Sequence, residues 1–201
     1  MADNTTVKNA SGTTVTVRTI DNGGIQLPVH TLSDSSGVST IQIDTAGRIP
    51  LKMISTITNV TLTLDTAAYA DGDLMADTQE VANCFPINSG TGVLNTVTVI
   101  DEDDQGQPFD LVFLDSNNTL GSENVPPTIS DTNARAVLGW VPIKTTDYID
   151  LGGVRVATIS GLSLNIKANT GNNDMYVAAI SRGTGTYTAS GVLLRIGVTC
   201  D

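Results

Sequence analysis

At 201 residues, with 10 basic and 21 acidic side chains and a formal charge of −11, the chain can bury a sizeable core in one β domain, whereas two full domains would be cramped. The acidic balance opposes general affinity for nucleic acid or anionic membranes. A hydrophobic content of 40% excludes a disordered chain, an aromatic content of 4% leaves little material for a stacking platform, and a single histidine removes most general-base arrangements.

The opening Met1-Ala2-Asp3-Asn4-Thr5-Thr6 has neither a basic n-region nor an apolar h-region, and no later run approaches about 18 apolar residues. A soluble product made in the cytoplasm without a signal peptide is expected. Up to about Asn59 the chain is rich in Thr, Ser and Gly. It is broken by turn signals at Ser11-Gly12, Asp21-Asn22-Gly23-Gly24, Ser33 to Gly37 and Ala46-Gly47. Between them lie the short strands Val15-Val17, Ile25-Leu27-Val29 and Ile41-Ile43, each too small to bury much alone. Residues 1–58 therefore form an arm or hairpins that pack on another domain or subunit, or else pair at the edge of the chain's own sandwich.

From Asn59 the alternation of apolar and polar residues becomes dense. It runs over Val60 to Leu64, Leu94 to Ile100, Leu111 to Leu114, Trp140 to Ile143, Val154 to Ile166, Met175 to Ser181 and Val192 to Val198. A period of two puts one side of each strand on a core and the other toward water. Turn clusters separate nearly every pair, so residues 59–201 are expected to form an all-β domain, an antiparallel β-sandwich or jelly roll. One short helix is expected after Ser130 or Asp131, running through Ala134 to Leu138 and ending at Gly139, with a second around Thr78 to Asn83. The loop Leu120 to Pro127 is stiffened by two prolines, which fix φ and bar the helical region at the preceding residue. It is expected to position the entry to the first helix.

Few residues invite chemistry. The acidic run Asp101-Glu102-Asp103-Asp104, with Asp71 and Asp73 upstream, is a concentration of hard oxygen ligands where a cation such as Ca²⁺ would fit if six to eight oxygens converged. The spacing does not match a helix-loop-helix calcium loop, and a solvated turn after Ile100 is the preferred reading. Asp44-Thr45-Ala46-Gly47 departs from an aspartic-protease element by an inserted Ala and has no second copy. His30 has no nucleophile elbow to serve. Cys84 and Cys200 read as separate buried thiols rather than a disulfide or a zinc set. No catalytic residue, cofactor or metal is assigned, and an enzyme is not expected.

The segment Asp65-Thr66-Ala67-Ala68-Tyr69-Ala70-Asp71-Gly72-Asp73, together with Val112-Phe113, Leu120-Gly121, Ile129-Ser130-Asp131 and Tyr187-Thr188-Ala189, resembles a family of small virion structural proteins of tailed bacteriophages. The resemblance spans roughly residues 59 to 201. Proteins of that family share an opening Met-Ala-Asp, a Thr/Gly-rich leader and an acidic all-β domain, and some are taken to be capsid decoration or cement proteins. The resemblance implies a protein of the capsid exterior that binds the major capsid protein and itself, as a trimer on a local threefold position, with no nucleic-acid or membrane partner. Multivalent clamping would be its physical basis, because modest contacts summed over several subunits stabilise a shell strongly. The other expectation is a tail-appendage or host-surface glycan-binding module, in which loops such as Asn88 to Gly92 and Gly171 to Asp174 recognise sugars.

Overall fold

The computed structural model describes residues 4–8, 14–22, 25–28 and 53–200, the first three stretches as backbone. The sequence-level readings at Val29, His30, Ile41-Ile43 and Asp44 to Gly47 lie outside the described residues. The chain divides into two compact units, residues 1–52 and 53–201. In the first, β1 (Asn4–Lys8), β2 (Thr14–Asn22) and β3 (Ile25–Pro28) form a three-stranded antiparallel sheet in the order β1-β2-β3.

The second unit is an antiparallel β-sandwich. Its strands are β4 (Ile54–Thr61), β5 (Leu74–Val81), β6 (Thr91–Asp101), β7 (Phe109–Leu114), β8 (Val137–Ile143), β9 (Tyr148–Asp150), β10 (Arg155–Lys167), β11 (Met175–Ser181) and β12 (Val192–Cys200). They form a five-stranded sheet, β4-β12-β6-β10-β9, and a four-stranded sheet, β5-β11-β7-β8. The sequence pattern opens this body at Asn59, but β4 begins at Ile54. Five further residues pair with β12, from Cys200 opposite Ile54 to Ile196 opposite Thr58.

The apolar alternation builds the core between the sheets. Val60, Leu94, Val97, Val99, Leu194, Ile196 and Val198 of one sheet meet Phe109, Leu111, Phe113, Val141, Met175 and Val177 of the other. Leu94 and Val97 are three apart, yet both are buried, because β6 carries an irregularity there. Val198 pairs with Leu94 while Gly197 pairs with Thr96, so Asn95 is the extra residue of a bulge. Strand β10 shifts register at the same level, between Ser160 and Leu164, with Gly161 at a φ of +73°.

A second, smaller core lies on the outer face of the four-stranded sheet. Leu74, Leu114, Tyr176 and Ala178 are buried there beneath Leu120, Ile129 and Ala136 of the 115–136 connection. The proline-stiffened loop is thus a lid over the β5/β11 half of that face. Its backbone also seals the edge of β5, where the Leu74 N–H donates to the Val125 carbonyl at 2.9 Å and the Asn124 N–H to the Leu74 carbonyl at 2.9 Å.

Neither expected helix forms among the described residues. After Ser130, whose Oγ accepts the Asn133 N–H at 3.2 Å, a single 3-10 turn spans Asn133–Ala136. Val137 and Leu138 then enter β8, where the hydrogen-bond ladder with β7 outweighs the helix preference of so short a stretch. Residues 78–81 belong to β5, held by pairing with β11 from Val81 opposite Met175 to Gln79 opposite Val177. No helix of the described residues is long and apolar enough to cross a membrane.

Candidate functional site

The acidic run after Ile100 is not a solvated turn at its first residue. Strand β6 continues the phase of Val97 and Val99 through Asp101, which places that carboxylate on the core side, fully buried. It accepts the Gly106 N–H at 2.6 Å and the Asp103 N–H at 3.1 Å. Burial pushes its pKa above the usual carboxylate value, and the backbone donors pull the other way. Gly106 turns back with a φ of +59°, a conformation that glycine adopts without steric cost.

The neighbouring carboxylates are also engaged. Asp103 accepts the Thr188 N–H at 2.7 Å and the Thr188 Oγ1 hydroxyl at 3.0 Å, tying the turn to the β11–β12 connection. Asp104 pairs with the Arg155 Nε at 2.8 Å. Asp73 accepts the Ala70 N–H at 2.7 Å, and Asp71 lies 3.8 Å from Arg182 Nη1. Among the described residues, no group of three or more His, Cys, Asp or Glu side chains is arranged to hold a metal ion. Asp73, Asp101, Asp103 and Asp104 act as fasteners of loops, whereas the Asp71 side chain is 75% exposed and, among the described residues, has only the distant Arg182 contact.

The two loops named for glycan recognition come together at one end of the sandwich. The Ser89 N–H donates to the Asn172 carbonyl at 2.7 Å, the Gly171 N–H to Ser89 Oγ at 3.0 Å, and the Asn173 Nδ2 to the Phe85 carbonyl at 3.1 Å. The first two bonds join one loop to the other, while Asn88, Ser89 and Thr91 stay exposed. Beneath them Cys84 and Cys200 are buried thiols, with the Cys200 Sγ 3.9 Å from the Cys84 carbonyl oxygen. Burial raises the Cys84 pKa to about 12, which leaves it protonated and unreactive at neutral pH.

Two of the segments that carry the resemblance also meet. Tyr69 and Tyr187 are both buried, their ring centroids 6.3 Å apart. The Tyr69 hydroxyl accepts the Asp65 N–H at 2.6 Å and donates to the Met75 carbonyl at 3.0 Å, which fixes the 65–73 loop against the core.

Among the described residues, depressions open to solvent at two places that matter here. One, of about 630 Å³, lies beside Met53, Leu138, Asn165 and Thr199. The other, of about 250 Å³, lies on the uncovered half of the four-stranded sheet's outer face. There Trp140 of β8 stands opposite Val112 of β7, and Asp110 stands between Pro142 and Ile180. Trp140, the single tryptophan of the chain, is 61% exposed. Beside it the Arg182 Nε donates to Asp110 Oδ2 at 2.7 Å. Sequence reasoning placed Trp140 on a strand but gave it no role. The available signal was the apolar character of β8 at both Trp140 and Val141, which leaves one large side chain on the outer face.

No family model matches the chain, and no curated protein matches it. Among solved structures the chain is similar to a "putative sugar binding protein" from Bacteroides thetaiotaomicron, at 16% identity over 63% of this chain and 67% of that one, with a TM-score of 0.21. A likeness of that size carries no argument about fold or function.

Proposed function

We propose that the protein is a non-enzymatic structural component of a tailed-phage virion, a decoration protein that binds the outer surface of the capsid shell and sister copies of itself. The observation that carries the reading is the outer edge of β4. Its sequence, Ile54-Ser55-Thr56-Ile57-Thr58-Asn59-Val60-Thr61, has no charge and no proline, and its ladder with β12 runs without a bulge. Among the described residues no strand pairs with that outer edge, and Ile57 is 64% exposed.

The sandwich's other edges are shorter or interrupted. Strand β9 is three residues long and pairs only with Arg155 to Ala157, beyond which the edge of β10 is broken by the register shift between Ser160 and Leu164; β8 carries Pro142, and β5 is sealed by the 120–127 loop. A long, neutral, β-branched edge is what a strand from an assembled neighbour adds to. Neutrality matters here, because copies with a charge of −11 repel one another elsewhere. The compact N-terminal unit supplies a second contact region, so that one chain reaches more than one neighbour, as multivalent clamping requires. A trimer on a local threefold position is the assembly in this reading.

Co-sedimentation of the purified chain with phage heads that lack it tests the proposal. Saturable, stoichiometric binding is the expected result, weakened by Ile57→Lys, which places a charge on the β4 edge. Heads that pellet without the protein at every concentration would refute the reading.

A further inference from the structure

We propose that the depression beside Trp140 is a saccharide subsite that takes one pyranose ring, stacked on the indole and held at its hydroxyl edge by Arg182 and Asp110. The reading is separate from shell binding and adds a second role to the same body.

Three features converge on this ligand. First, the indole is displayed on a rigid strand rather than packed. Its neighbour Val141 fills the core, while Trp140 remains 61% exposed above Val112 and Val137. An apolar ring face offered at low conformational cost suits the C–H face of a sugar. Second, the opposite wall is a fixed charge pair. The Asp110 side chain is only 14% exposed and holds the Arg182 Nε at 2.7 Å, which orients the planar guanidinium. Asp71 lies 3.8 Å from Nη1, beyond a close hydrogen bond, and the Arg182 side chain, 45% exposed, lines the depression, so its guanidinium keeps donor capacity for a ligand there. Neighbouring hydroxyls of one ring match that fork.

Third, the size is right for a single ring. About 250 Å³ is below the ~300–1,000 Å³ that drug-sized ligands occupy, and the floor is the half-buried pair Val112 and Ile180. A dry protein side chain would strip water from the outer guanidinium donors without replacing its hydrogen bonds. A sugar replaces each one with a hydroxyl, so the mixed lining favours the saccharide.

The test uses the full chain and saturation-transfer NMR with methyl β-glucopyranoside, methyl β-galactopyranoside and N-acetylglucosamine, each to about 50 mM, well past a Kd of ~1–10 mM. The single tryptophan makes its fluorescence a second, local readout. At least one sugar is expected to show saturable transfer and to shift the emission. Trp140→Ala and Arg182→Ala are each expected to weaken binding at least tenfold, while Asn165→Ala in the other depression leaves it unchanged. Trp140 is exposed, and Arg182→Lys, which keeps the charge but not the planar fork, is expected to weaken binding as well, so loss of fold does not obscure the result. No transfer from any of the three sugars overturns the proposal, and so does binding that survives both site variants. Heads that lose the Trp140→Ala protein while no sugar binds would assign this face to the shell, overturning the subsite and sparing the decoration reading. Sugar binding without head binding would do the reverse.

Discussion

Replacing Asp101 tests the claim that the acidic run serves the fold. In Asp101→Ala the Gly106 N–H, now bonded at 2.6 Å in a buried position, loses its acceptor, and so does the partly buried Asp103 N–H. An orphaned buried donor costs about 1–3 kcal/mol, and the Asp103 donor regains some water, so a net loss of about 2–4 kcal/mol is expected. For a chain of this size that lowers Tm by roughly 5–15 °C. Asp101→Asn keeps one acceptor and should cost about half as much, ~1–2 kcal/mol, since it orphans one donor instead of two.

The pH dependence supplies an independent check. The folded carboxyl titrates above its unfolded value, so between the two pKa values the folded state binds more protons and stability falls as pH rises. Below the unfolded pKa, about 3.9, that penalty is absent, and above the folded pKa it is fully present. Asn does not titrate, so the native protein should lose stability relative to Asp101→Asn as pH rises from the unfolded pKa, about 3.9, through the raised folded one. Carboxylates common to both proteins cancel in the comparison. Urea unfolding followed by circular dichroism at a series of pH values measures both effects. A cost for Asp101→Ala below about 0.5 kcal/mol, within the noise of ordinary surface substitutions, would refute the structural role. A stability difference from Asp101→Asn that does not change with pH would refute the buried ionisation.

Three further outcomes are expected. A Cβ at Gly191 would fall inside the Asp103 carboxylate, so Gly191→Ala should evict it from Thr188 and cost about 1–3 kcal/mol. Combined with Asp103→Ala it should cost far less than the sum, because both remove the same lock, and equilibrium unfolding of the three variants measures this. Cys84 and Cys200 should react with a disulfide reagent at least a hundredfold more slowly in the native protein than in denaturant, given their burial and the raised Cys84 pKa, and a fast native reaction would contradict the packing. A chain truncated to begin at Met53 should keep the sandwich's circular dichroism and cooperative unfolding, whereas one beginning at Asn59 should not, because it deletes most of β4 and its pairing with residues 196–200 of β12.

Alternation within single strands determined much of this fold. Leu194, Ile196 and Val198 declare an inner face with no reference to any other strand, and the same phase carried from Val97 and Val99 already points Asp101 inward. The mistaken solvation of that carboxylate came from weighing charge above phase. The expected helices failed for another reason. Propensity over five or six residues is worth less than a strand ladder, and the partners, β7 and β11, lie far away in sequence.

Other features were decided only in three dimensions. A period of two assigns faces but does not say which face another segment will cover. The 115–136 connection shelters Tyr176 and Ala178 and stops short of Trp140, although Val112, Trp140 and Ile180 on the uncovered half are apolar too. The bulge at Asn95 was equally invisible, since it arises from matching β6 to β12. The meeting of Asp103 with Thr188, and of Arg182 with Asp110, depends on loop closures across more than seventy residues. Local chemistry sets what each strand offers to either side. Non-local pairing sets what it meets, because register, edges and exposure belong to pairs of segments and to no segment alone.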